Sequence, residues 1–250
     1  MMTTMVMMEE QPSPTSAAPG INTTEELTGS ISGRLNWLRA GVLGANDGIV
    51  STAAIVLGVA GATAQRGSIV LAGFVGLLAG AMSMAVGEYV SVSTQRDTER
   101  GLITRLRHRL ASQPDHELAA LTAAYQEKGL DAILASQVAK ELTAHDAVDA
   151  HAATRLGIDP DDYTQPWHAA IASFVAFVIG AAVPLLGIVV STNVWVTVSA
   201  VAVALALTGG MSARLGRAHV FAALLRNIGG GLIAMAITYG LGTLVGGVVL

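Results

Sequence analysis

The chain has 250 residues, 52% of them hydrophobic and only 13% charged, with no cysteine and a formal net charge of −4. Soluble domains carry about 25% charged residues, so an ordinary soluble domain is excluded, and the missing cysteines exclude disulfides, thiolate metal sites and cysteine nucleophiles. Nothing resembles the basic tracts or aromatic platforms that track nucleic acid.

The charge is unevenly spread. Residues 93–166 hold 8 of the 14 Lys and Arg and 12 of the 18 Asp and Glu. This is the profile of membrane helices flanking one soluble insert. Residues 1–30 are rich in Met, Pro, Ser and Thr, carry four glutamates and lack the basic start and apolar run of a signal peptide. They are read as a disordered cytoplasmic tail.

Residues 31–93 then carry the first two membrane spans, at 40–63 and 68–92. Each supplies the ~20 apolar residues that cross a bilayer as a helix. Gln65 and Arg66 mark the turn between them. Gly73, Gly80 and Gly87 fall seven apart on one face of the second span, a pattern that admits close helix packing. Residues 94–166 follow as a three-helix insert. Its first helix continues the second span to Leu110, and Pro114 suits the first position of the next, which holds Leu118, Leu121 and Tyr125 and stops at Gly129. The third runs over 130–156, with Ile133, Leu134, Val138 and Leu142 as its apolar stripe, until Gly157 and Pro160 close it.

Residues 167–250 supply three more spans, at 169–191, 194–212 and 219–249. Pro184 lies inside the third span, where it either kinks the helix or sits as an ordinary membrane proline. Met211–His219, with Arg214 and Arg217, separates the last two spans. The expected fold is an all-α integral membrane protein with five transmembrane helices and a cytoplasmic three-helix insert between spans two and three. A cytoplasmic N-terminus places 13 of the 14 basic residues on the cytoplasmic side and only Arg66 opposite, as the positive-inside rule requires. Leu250 then lies outside.

Only two acids fall in or near the spans: Asp47 and Glu88. A carboxylate at a helix centre costs about 2.5–3.5 kcal/mol on insertion scales, so such residues usually face a cavity and act on ions or protons. A hydrogen-bonded structural role for Asp47 and an interfacial one for Glu88 stand beside that reading. Met84 lies one turn before Glu88 on the same helix face. A thioether beside carboxylates suits Fe²⁺ and related first-row ions better than Mg²⁺, although a membrane methionine is more often packing. In the insert, His145, Asp146 and Asp149 share a helix surface that could bind metal or simply be solvated. No nucleotide-binding loop is visible, so coupling to an ion gradient is expected instead of ATP. No nucleophile–base set points to an enzyme, and no cofactor is implied.

Three blocks, Arg34-Leu-Asn-Trp-Leu-Arg39, Gly44-Ala-Asn-Asp-Gly-Ile-Val-Ser51 and Ala79-Gly-Ala-Met-Ser-Met-Ala-Val-Gly-Glu-Tyr-Val-Ser-Val-Ser-Thr-Gln95, closely resemble the vacuolar iron transporter family, including its bacterial members. The resemblance continues through Tyr125-Gln-Glu-Lys-Gly-Leu130 and His145–Ile158 and covers nearly everything after residue 30. It implies a homodimer of five-span subunits that moves Fe²⁺, often Mn²⁺, out of the cytoplasm in exchange for protons. The family's membrane acid falls on Asp47, its transport methionine on Met84, and the glutamate of its Gly-Glu-Tyr motif on Glu88.

The insert departs from that pattern. Where the family gathers metal with five glutamates, this chain has Leu106, Arg109, Ala120 and Arg155, and only Glu117 remains. A site stripped of most oxygen ligands binds hard cations weakly. The insert is therefore expected to persist as scaffold or dimer interface with a weak metal site, for which His108, His116 and Glu117 are the substitute candidates. The competing expectation is a non-transporting membrane protein whose insert binds a partner. The Ala-, Gly- and Val-rich composition, without an organelle signal, suits a bacterial plasma membrane.

Overall fold

A computed structural model of the chain describes residues 23–161 and 163–249, and for 23–39 and 249 the backbone alone. These residues form seven α-helices and no strand: α1 (Thr23–Ala62), α2 (Arg66–Ser112), α3 (Pro114–Glu127), α4 (Ala132–His151, extended by a π-helical turn at Ala152–Leu156), α5 (Pro166–Val190), α6 (Val194–Leu215) and α7 (Val220–Val249). Residues 1–22 of the expected tail lie outside the described residues, and α1 begins inside its last eight.

Five helices are long and apolar enough to cross a membrane: Ala40–Ala62 of α1, then α2, α5, α6 and Val220–Val248 of α7. Span ends shift by a few residues: α5 begins at Pro166, before the expected 169, and α6 runs through Gly209 and Gly210 to Leu215, beyond the expected 212. A Cβ on Gly209 would stand 3.2 Å from the Asn227 amide nitrogen. Gly209 thus serves as a packing notch against α7. Likewise α5 continues through Pro184, which is buried.

Local chemistry sets the ends. Gln113 stops α2, its N–H bonding to the Arg109 carbonyl, and Pro114 starts α3 at once. Asp131 caps α4, its Oδ1 accepting from the N–H groups of Ile133 and Leu134 at 2.9 and 3.1 Å. Asn193 caps α6 through Trp195 N–H at 3.1 Å. Gly129 (φ 101°) and Gly157 (φ 65°) take the left-handed conformations that end α3 and the π turn.

Helix α1 is the centre of the membrane part, touching α2, α5, α6 and α7. One face, with Ile49, Ala53 and Leu57, meets Val201 and Leu205 of α6 and Met235 of α7. Another lies on α5 almost backbone to backbone: a Cβ on Gly48 would collide with the Phe177 carbonyl, and one on Gly180 with that of Ala45. Without a hydrophobic drive between helices in lipid, such close approach is what van der Waals packing needs. The expected glycine face of α2 is used in part. Gly73 faces Val56 and Leu185, and Gly80 faces the Phe177 ring, whereas Gly87 meets nothing within 4 Å. Leu71, Phe74, Leu78, Ile171, Ile179, Val203 and Ile237 point outward, as lipid-facing residues do.

At ~1.5 Å per residue, 47-residue α2 is about 70 Å long, twice the bilayer core. Its far end packs with α3 and α4. Ile103 and Leu106 close on Ala152, and Leu121 closes on Ala139 and Ala150. Two expectations for α4 change. Its buried stripe is Ala135 and Ala139, of which Ala139 packs on Leu121, while Ile133, Leu134 and Leu142 are exposed. It also breaks at Asp146 (φ −149°, ψ 105°), whose Oδ1 accepts from Asp149 N–H at 2.9 Å and caps the helix that resumes.

Candidate functional site

Asp47 lies on the open face of α1. The Gly44 and Gly48 face beside it is fixed against α5, and Ile49 is buried towards α6 and α7, so the carboxylate is directed away from the bundle. Among the described residues its side chain has no hydrogen-bond or ion-pair partner; Ser51 donates to its backbone carbonyl at 2.6 Å. Neighbouring Asn46 turns the other way, its Oδ1 3.5 Å from the Thr208 hydroxyl, which is 3.4 Å from the Asn227 amide nitrogen. That nitrogen also donates to the Leu205 carbonyl at 3.3 Å. A polar chain across α1, α6 and α7 therefore fixes the helix immediately beside Asp47.

Met84 is half-buried against Leu77, Ala81, Phe177 and Ala181. One turn later Glu88, also half-buried, lines a cavity of about 700 Å³ together with Leu43 and Asn46 of α1, Ser212 of α6, and Arg226 and Asn227 of α7. Glu88 thus opens on the polar end of α1, and Leu43, one turn before Asp47, links cavity to open face. Among the described residues no group of three His, Asp or Glu converges to hold a metal.

In the extension, Glu117 is buried at 1% exposure, and cations take both its oxygens. Arg109 Nε donates to Oε1 at 3.0 Å and Arg155 Nη1 to Oε2 at 2.5 Å. Burial alone would raise the Glu117 pKa. The hydrogen bond and charge of Arg155, with Arg109 and His151, outweigh it and hold the carboxyl below its ordinary value. His151, fully buried, lies with Nδ1 3.7 Å from Oε2, and its Nε2 has no hydrogen-bond partner. Burial and the Arg155 charge lower its pKa. The hydroxyls of Tyr125 and Thr154 meet at 3.0 Å and pin the π turn to α3.

The substitute site of His108, His116 and Glu117 does not assemble: His116 is exposed and 3.9 Å from Oε1, and His108 points to solvent. The nearest imidazole is His151, another of the insert's four histidines, one turn before Arg155. His145 is exposed, and Asp146 is spent on its cap.

The VIT family model matches residues 38–243. The chain is 40% identical over 219 residues to "Vacuolar iron transporter" of Acanthamoeba castellanii, covering 86% of this chain and 81% of that protein. It is 39% identical to "Vacuolar iron transporter homolog 5" of Oryza sativa subsp. japonica, over 84% and 81% of the two chains, and 38% identical to "Vacuolar iron transporter homolog 3" of Arabidopsis thaliana, over 86% of each.

Proposed function

The chain belongs to the VIT family, and from that premise we propose that it is a homodimeric transporter that carries Fe²⁺ or Mn²⁺ out of the cytoplasm in exchange for protons. It is a membrane-spanning metal transporter and not an enzyme; the transported ion is its substrate. Asp47 carries the reading. A carboxylate within a membrane span, unpaired and on an open helix face, is costly unless it meets an ion or a proton. Met84 supplies a soft donor and Glu88 a carboxylate at the polar cavity that we take as the cytoplasmic approach.

In this reading the N-terminus and the α2–α4 extension are cytoplasmic and the C-terminus outside, following the basic residues. The relatives bear a vacuolar name; for this chain we infer a bacterial plasma membrane from composition. Glu117 contributes at most weakly to metal capture because guanidinium groups occupy its oxygens. The extension then acts as scaffold, and the exposed Ile133 and Leu134 suit a contact between copies. The same features favour the second reading, a non-transporting protein whose extension docks a partner.

Proteoliposome uptake of Fe²⁺ and Mn²⁺, with and without a pH gradient, separates the two. Gradient-dependent uptake that Asp47→Ala abolishes is expected. Uptake equal to empty vesicles, or unchanged in Asp47→Ala, would defeat the proposal.

A further inference from the structure

The α6–α7 connection concentrates cations that metal transport does not use. Arg214 lies in the last turn of α6, Arg217 in the connection, His219 just before α7 and Arg226 within its second turn. No Asp or Glu occurs after Asp162, and among the described residues none of these arginines forms an ion pair. All lie at the end of the bundle from which α2 extends, since Arg226 shares the cavity of Glu88.

Two observations go beyond a charge bias that merely orients a membrane protein. First, Arg217 is the only non-glycine residue with positive φ (49°) among the described residues. It ends α6 where Ala218 N–H returns to the Ala213 carbonyl at 2.9 Å, a position that glycine fills without strain. The chain keeps an arginine there against its backbone preference, and retained strain points towards a role for the side chain. Second, Arg226 opens with Asn227 and Ser212 into the cavity of about 700 Å³, whose other walls include Leu215 and Ala223. A cation and a hydroxyl beside an apolar wall match a phosphate joined to a hydrocarbon chain. Glu88 lines the same cavity from α2 and does not pair with Arg226; its carboxylate confines an anion to the α6–α7 side.

We propose that this corner binds the phosphodiester headgroup of an anionic membrane lipid, with Arg226 and Ser212 receiving the phosphate and Arg214 and Arg217 adding attraction at the same helix ends. Basic pockets between membrane helices are a recognised setting for such headgroups. The headgroup lies on the α6–α7 side of the cavity taken above as the metal's approach, opposite Glu88.

The test uses the full chain in detergent, with native mass spectrometry and thermal unfolding on titration with phosphatidylglycerol, phosphatidylcholine or inorganic phosphate. Phosphatidylglycerol is expected to be retained and to raise Tm, and phosphatidylcholine is not. Arg226→Gln should lower retention about fivefold, the effect of one interfacial cation, and Arg226→Lys should largely keep it. Arg217→Gly should lower retention while leaving Tm without lipid equal or higher, because it relieves the backbone. That split separates a lipid role from a structural one. Equal retention of the two lipids, or full retention in both Arg226→Gln and Arg217→Gly, would overturn the proposal. A Tm rise with inorganic phosphate equal to that with phosphatidylglycerol would also overturn it, leaving only a free-anion site.

Discussion

Arg155 Nη1 stands 2.5 Å from Glu117 Oε2, joining the π turn after α4 to α3 across 38 positions of sequence. With Arg109 on the other oxygen, the buried carboxylate of Glu117 is neutralised from inside the protein. A divalent ion would have to displace two guanidinium groups to reach it. Removing one member of a buried pair strands the rest, and the loss exceeds the net value of the pair.

Glu117→Gln should therefore loosen α3 and the end of α4 by about 1–3 kcal/mol. Arg155→Ala should cost less, because Arg109 remains and Arg155 is partly exposed. Hydrogen exchange of the full chain checks this. Faster exchange at 118–125 and 147–156 is expected, with the membrane spans unchanged.

Acid should loosen the same region in two stages. The folded pKa of His151 lies below its usual 6.5, so the unfolded chain binds the extra proton first, and stability falls as pH drops below about 6.5. The folded pKa of Glu117 is also depressed, so its contribution is complete above about 4.5 and is lost as pH falls through the folded value. Both act in one direction. Protection over 147–156, taken relative to the intrinsic exchange rate at each pH, should fall between pH 7.5 and 4, and His151→Phe should remove the earlier stage.

Helix contacts in the membrane give a sharper contrast. Gly48→Ala sets a methyl against the Phe177 carbonyl and must separate α1 from α5, whereas Gly87→Ala meets nothing within 4 Å. Gly48→Ala should lower Tm in detergent by several degrees and impair transport through Asp47. Gly87→Ala should leave both near wild type. Equal behaviour of the two would show that α1 does not depend on this contact.

Much of this was legible in the sequence. Apolar length, the turn at Gln65 and Arg66, and the stops at Pro114 and Gly129 fixed where helices run, because each is a local property of the chain. Contacts between distant segments were not. Alanine packing on α4, the pairing of Glu117 with Arg155 and the chain from Asn46 to Asn227 depend on which faces meet. Asp146 was readable in principle, since an Asp three residues before Asp149 is a capping pattern, but an unbroken 3.6-residue periodicity masked it. Arg109 and Arg155 stood out as replacements for carboxylates, while their common partner emerged only from the fold.

The polar chain next to Asp47 bears on transport more than on stability. Thr208→Val removes the hydroxyl between Asn46 and Asn227 while keeping the shape. Interhelical hydrogen bonds in membranes average about 0.6 kcal/mol, so Tm should change little. The rotation of α1 that presents Asp47 loses its tie to α6, however, and a misplaced carboxylate binds a metal ion more weakly. The expected result is a raised KM for Fe²⁺ or Mn²⁺ at nearly constant Tm, with Thr208→Ser restoring KM. An unchanged KM in Thr208→Val would mean that the α5 contact at Gly48 alone orients Asp47.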